Sequence, residues 1–437
     1  MGPRRAPSTP RADLLLTGLS EVATLAGPPG PRVGSALGEL GLVEDAAIAI
    51  DGGRISWIGP ERRLRKEVRV RSGARRRSFP GGIALPGFVD AHTHVLFAGS
   101  RESEIGRKVR GESYLSIARS GGGLYRTVRD TRAASPRRLF EEARARLERM
   151  RTWGTTTAEV KSGYCLDGEG ELKLLRLVPS LARATGLTLV PTYLGGHAYP
   201  PGTASSHESY LRLMERRIIP RVAREGLARF CDVFCETGFF SARESERLLR
   251  VGLRHGLGAK IHADEFSVTG GAEVAARLHA VSADHLLETP PRAREALARA
   301  GVIAVLLPVT PLASLADARS LGREMADQGV AVALGTDLSP NSWVESMPMV
   351  LGHAVHGGRL TPSEAIVAAT VNAAHAIGLG GVAGELAPGR RADVAVFDLP
   401  GAEHLAYRWG TLPPKAVLIE GQDVLEESSE YRRVPRR

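Results

Sequence analysis

The 437 residues are 43% hydrophobic and 24% charged, a globular balance with room for a barrel of about 250 residues and a smaller companion domain. No apolar run reaches the roughly 20 residues of a membrane span, and the basic start lacks an apolar stretch with a small-residue cleavage site, so neither anchor nor secretory leader is expected. The net charge of +10 comes with 5% aromatics; arginines spread over helical faces such as RAREALARA argue against a nucleic-acid surface and leave a weak pull on anionic solutes.

Residues 1 to about 11 are rich in Pro and Arg and read as disordered. From 12 to 82, short β-like runs (ADLLLTGL, DAAIAIDGGRISWIGP) include a hairpin signal at Asp51-Gly52. Residues 385–437 have the same character in RRADVAVFDLP and PKAVLIEGQDV, so both chain ends are expected to build one small β-sandwich domain. Between them, 83–384 alternates strand-like runs with amphipathic helices, the pattern of parallel βα units. Eight strands are predicted, near 83–91, 155–161, 187–194, 230–236, 258–262, 281–285, 302–307 and 330–336. They close most simply into a (β/α)8 barrel with its active site at the C-terminal strand ends. An open doubly wound sheet would want a Gly-rich phosphate loop after its first strand, and none is present. The first connection, 95–135, is long enough for a lid or substrate loop. Ser135 and Pro136 mark the start of the helix behind it, and Thr289-Pro290 opens another in the same manner. Cys165, Cys231 and Cys235 make no disulfide framework; CDVFC reads as core packing and the expected compartment is a reducing cytoplasm.

Four segments at strand ends carry metal-ligand chemistry: His92-Thr93-His94, His262-Ala263-Asp264-Glu265, Asp284-His285 and Thr336-Asp337. Residues i and i+2 of an extended chain project to one side, so His92 and His94 point together. With His262 and Asp337 they make an N/N/N/O set suited to one zinc or iron ion and a water. Such an ion lowers the pKa of its water to about 7, making a nucleophile for a carbonyl or amidine-like carbon. Asp337 reaches both ion and water. Glu265, three residues past a ligand, suits proton shuttling or, alternatively, support of His262. His285 is placed to polarise a carbonyl or to join the ligands. A second set, Arg101, Tyr164 and His197, includes a guanidinium fork matched to a carboxylate. For Lys161, at the end of the second strand, a structural or substrate-loop role is preferred to a carboxylated, two-metal one.

The runs PGFVDAHTHVLFAGSRE, GGGLYRTVRDTRAAS, GTTTAEVKSGY, GGHAYPP, KIHADE, GGAEVAARLHAVSADHL and TVNAAHAIG resemble the imidazolonepropionases of the amidohydrolase superfamily, from about residue 50 to 420. The resemblance implies hydrolysis of 4-imidazolone-5-propanoate to N-formimidoyl-L-glutamate, the third step of histidine degradation, by metal-activated water. It implies that His92, His94, His262 and Asp337 bind zinc or iron, and that Arg101, Tyr164, His197 and Glu265 contact the substrate, with Arg101 clamping its propionate. A homodimer would suit the family. Many members carry Asn-Pro-Gly-Ser after the metal-binding Asp; here Ser339 and Asn341 replace Asn and Gly, and Ser342 is retained, so substrate contacts are expected from these three. The rival readings are another amidohydrolase, such as a nucleobase deaminase or cyclic amidase, and an inactive, metal-stabilised binding protein.

Overall fold

Four strands open the chain: β1 (Arg11–Ala23), β2 (Leu42–Asp51), β3 (Arg54–Pro60) and β4 (Arg69–Pro86). Eight short ones follow: β5 (Phe88–Asp90), β6 (Thr155–Lys161), β7 (Thr188–Gly196), β8 (Phe230–Cys235), β9 (Gly258–Ala263), β10 (Ser282–His285), β11 (Ile303–Leu306) and β12 (Val332–Leu334). The last three are β13 (Val394–Phe397), β14 (Ala416–Ile419) and β15 (Gln422–Asp423). This computed structural model describes residues 9–112, 116–117, 120–200, 207–316 and 319–426. Most of the expected disordered start lies outside the described residues, and the part inside it is already strand from Arg11 onward.

Strands from both chain ends form one seven-stranded sheet in the order β15-β14-β13-β4-β1-β2-β3. Alternation along β2 explains how it buries two faces. Ile48 and Ile50 join Leu14, Leu16, Val394 and Leu418 on one side, while Ala47 and Ala49 meet Trp57 and Leu64 on the other. Gly52 and Gly53, with φ of 58° and 76°, supply the left-handed pair that the two-residue turn between β2 and β3 needs.

The other eight strands run in the order β5 to β12, each parallel to the next. The ring closes where β5 meets β12. The Ala91 N–H donates to Leu334 O at 3.3 Å, Asp337 N–H to His92 O at 3.1 Å and His94 N–H to Leu338 O at 2.9 Å. The helix Pro136–Thr152 buries Leu139, Ala143, Leu147 and Met150, and Ser135 Oγ accepts the Arg138 N–H at its start. All three cysteines are buried free thiols. Among the described residues no helix is long and apolar enough to cross a membrane. Surface arginines form ion pairs, such as Arg247 with Glu208 and Glu215 and Arg149 with Glu345.

Three elements differ from expectation. The predicted first strand, 83–91, is two strands: β4 ends at Pro86 in the terminal sheet and β5 begins at Phe88 in the barrel. Gly87 is the crossing point, where a Cβ would lie 2.2 Å from Thr156 Cγ2. The continuous apolar run concealed this switch because both sheets bury it. The helix near 290 starts at Pro291 with Pro290 as its cap, and Thr289 Oγ1 instead donates to Asp264 Oδ2 at 3.1 Å. The 95–135 connection carries a helical turn, Glu102–Glu104, and helices Ile105–Val109 and Gly123–Ala133; residues 113–115 and 118–119 lie outside the described residues.

Asn372, from TVNAAHAIG, ties the N-terminal segment to the barrel. Its Oδ1 accepts the Arg32 N–H at 2.6 Å, and its Nδ2 donates to Arg32 O at 2.9 Å and Val332 O at 2.8 Å. Asn372→Ala would strand three buried backbone groups, each worth about 1–3 kcal/mol when left unpaired. A loss of roughly 3 kcal/mol or more in unfolding free energy is expected, measured from the urea midpoint.

Candidate active site

The chain leaving β5 is extended, so His92 and His94 project together, as their spacing requires. Their Nε2 atoms lie 3.1 Å apart. His262, near the end of β9, places its Nε2 3.4 Å from that of His94. Asp337, just beyond β12, brings Oδ1 to 3.6 Å from His94 Nε2 and 3.7 Å from His92 Nε2. Ligand atoms about 2.0–2.1 Å from one ion in tetrahedral array lie roughly 3.3 Å from one another. The three imidazole nitrogens fit a common cation, and the Asp337 carboxylate, which groups with His92 and His285, borders it.

Proton positions reinforce that fit. Burial pushes all three imidazoles well below their usual pKa, so they are neutral. His92 Nδ1–H donates to Asp284 Oδ2 at 2.6 Å, and His262 Nδ1–H to Asp232 Oδ1 at 3.1 Å. Burial works against the Asp284 carboxylate, yet the ammoniums of Lys260 and Lys161 hold it down to about 2. With its proton on Nδ1, His92 turns a bare Nε2 lone pair toward the neighbouring donors. Lone pairs this close repel one another unless a cation lies between them.

Two further contacts set the height of the ligands. Asp90 accepts from the Thr336 hydroxyl at 2.6 Å and the Thr336 N–H at 3.0 Å, locking the end of β5 against the segment that carries Asp337. The Thr310 hydroxyl donates to Asp337 Oδ2 at 2.9 Å, leaving Oδ1 toward the imidazoles. His285 and Asp337 adopt left-handed backbone, with φ of 74° and 51°. Such strain on non-glycine residues concentrates at functional sites.

Arg101, Tyr164, His197, Glu265, His285, Ser339 and Asn341 line one cavity with His94, His262 and Asp337. His197 donates from Nδ1 to Gly163 O at 3.1 Å and stacks on His94, with ring centroids 5.2 Å apart; burial lowers its pKa to about 4. The Tyr164 ring lies 5.1 Å from that of His197. Arg101 Nε donates to Glu104 Oε2 at 2.9 Å. Burial raises Asp337 to about 7 and Glu265 well above the carboxylate range, with the Asp337 charge adding to the latter. His285, lowered to about 4 by burial, is neutral. Glu265 does not support His262: that role belongs to Asp232, while Glu265 Oε1 lies 3.6 Å from His285 Nδ1, beyond hydrogen-bond reach. Ser342 is fully buried and absent from the cavity lining; its N–H donates to Ser339 Oγ at 3.1 Å and its carbonyl accepts the Ser339 N–H at 2.9 Å, so it shapes the turn.

Sequence reasoning gave no role to Asp90, Asp232 or Asp284, nor to the walls Leu124, Phe234 and Phe266. Asp284 was signalled by its place beside His285 on a barrel strand. Asp232, inside the apolar run CDVFC, had one weak signal, a charge in the middle of a buried strand. Asp284→Asn keeps the shape but removes the ionised acceptor of His92. Zinc affinity is expected to fall about 10–100-fold, read by competition with a chromophoric chelator.

Residues 83–424 match the amidohydrolase family. The chain is 41% identical over 428 residues to the imidazolonepropionase of Shouchella clausii, covering 96% of each chain. It is 42% identical over 423 residues to that of Symbiobacterium thermophilum, covering 96% of this chain and 99% of the relative. Among solved structures, a zinc-bound adenosine deaminase from Xanthomonas campestris aligns with a TM-score of 0.69 at 18% identity, over 97% of this chain and 98% of that one. A 5-methylcytosine deaminase from Klebsiella pneumoniae, liganded with 5-fluorocytosine, aligns with a TM-score of 0.70 at 16% identity, over 94% and 97%. At such identities the likeness is one of fold. The family match and the nearly full-length similarity to these relatives lead to one conclusion: the chain belongs to the amidohydrolase family and, within it, to the imidazolonepropionases.

Proposed function

We propose that this chain hydrolyses 4-imidazolone-5-propanoate to N-formimidoyl-L-glutamate in the third step of histidine degradation. The observation that carries the reading is the meeting of the His92/His94/His262 group, with Asp337 beside it, and Arg101, Tyr164 and His197 at one cavity. A neutral nucleobase would bring no carboxylate of its own to the buried Arg101 guanidinium.

In this reading His92, His94, His262 and Asp337 hold one zinc or iron ion. When bound, the ion supplies a nucleophilic water near neutral pH and polarises a carbonyl oxygen. Asp337 takes a proton from the water as its oxygen adds to the ring carbonyl carbon. His285 donates a hydrogen bond to the carbonyl oxygen as charge builds on it. Glu265, kept protonated by burial, delivers a proton to the ring nitrogen as the carbon–nitrogen bond breaks. The carbon is released as a carboxylic acid that ionises to solvent, the nitrogen keeps the Glu265 proton as N–H, and the proton held by Asp337 restores Glu265. Arg101 pairs with the propionate while Tyr164 and His197 flank the ring; Ser339 completes the wall on the Asp337 side. The barrel of residues 83–384 does the chemistry, with 12–82 and 385–437 as its β-sandwich companion. Free buried thiols suit a cytoplasmic setting, and a homodimer is the proposed assembly.

Imidazolone absorbance is expected to decay on adding the protein, to persist after chelation, and to decay again once zinc or iron(II) is restored. Faster turnover of a purine or pyrimidine base would sink the reading, and stoichiometric metal without turnover of any cyclic amide would point to a binding protein. Glu265→Gln should retain the ion yet lower kcat by about 10²-fold or more; a collapse of metal content would make it a support of the ligands instead.

A further inference from the structure

Three connections meet above the cavity. The one after β5 brings Arg101 and Lys108, the one after β11 brings Ala313 and Ser314, and the one after β12 brings Asn341. Asn341 joins them all. Its Oδ1 accepts from Lys108 Nζ at 2.7 Å and from Arg101 Nη2 at 3.4 Å, and its Nδ2 donates to Ser314 Oγ at 3.0 Å. Lys108 Nζ also donates to Ala313 O at 3.1 Å. A glycine at this position would have no side chain to make such a junction.

Arg101 and Asn341 line both the inner cavity and an outer groove bounded by Lys108, Leu312 and Trp343, so they form the partition between the two. Electrostatics give that partition a purpose. Holding a half-buried ammonium beside a buried guanidinium works against like-charge repulsion. Glu104 faces the pair from the same connection and binds Arg101, so two cations share one carboxylate. Asn341 accepts from both cations without cancelling either charge, as a carboxylate would.

We propose that Asn341 is a positioning residue for substrate recognition, fixing the Arg101 guanidinium and the Lys108 ammonium side by side so that the cavity's outer wall receives a carboxylate. The inference rests on the reading that Arg101 pairs with the propionate. It assigns Asn341 an action through its neighbours in place of direct contact with the ring, and it gives Lys108 a role as the second cation.

The test compares 4-imidazolone-5-propanoate with its neutral propionamide in the zinc-loaded wild type and three variants. Asn341→Gly is expected to raise KM for the acid about tenfold, with kcat within twofold and the amide's KM unchanged. Asn341→Asp keeps an acceptor for both cations but adds a negative charge; it should raise KM for the acid at least as far and leave the amide unaffected. Arg101→Ala should raise KM for the acid about 30-fold or more. An unchanged KM for the acid in Asn341→Gly would overturn the inference while Arg101→Ala still upholds the clamp. An equal rise for acid and amide would also overturn it, since a loop that merely lost its shape would not distinguish them. No effect from Arg101→Ala would remove the clamp and, with it, the inference.

Discussion

Three carboxylates and two ammoniums lie wholly buried beside and beneath the imidazoles, and the site depends on their balance. Lys161 Nζ lies 2.7 Å from Asp232, 2.8 Å from Glu159 and 3.3 Å from Asp284; Lys260 Nζ lies 2.8 Å from Glu159. Single charges in such a place would be expelled or neutralised, and the network is tolerated because each member faces an opposite one. Burial alone would strip the proton from Lys161, but Asp232, Glu159 and Asp284 raise its pKa. Buried among these three carboxylates at the end of β6, Lys161 is placed as an interior cation.

Parallel strands explain how so many polar groups reach one spot. Side chains two apart on a strand point the same way, so each barrel strand delivers a lower and an upper residue. Glu159 and Lys161 come from β6, Lys260 and His262 from β9, and Ser282 and Asp284 from β10. The register pairs Ser282 with Lys260 and Asp284 with His262, so a charged residue and an imidazole stand level on neighbouring strands. A shift of one residue in any strand would turn its ligand out of the interior.

Above this interior, the side chains proposed for recognition come from the connections. Arg101, Tyr164, His197 and Asn341 all lie beyond strand ends, where substitutions disturb little of the core. Ser339 uses its hydroxyl to close its own turn, while Asn341 reaches across to two other connections.

The candidate ligands His92, His94, His262 and Asp337 could be picked out in the chain because their pattern is local: polar residues at the ends of apolar runs, in strand spacing. The alternation of strands and helices likewise foretold the barrel, and β-like runs at both ends foretold the shared sheet. Other features depend on neighbours distant in sequence. That Gly87 ends one sheet and starts another, that Asp232 is a partner of His262, that Asn372 staples Arg32 to Val332, and that Asn341 gathers two cations were settled by tertiary structure. A residue's chemistry and its strand period are written into its own neighbourhood, whereas the identity of a hydrogen-bond partner tens or hundreds of residues away exists once the chain has closed into a ring.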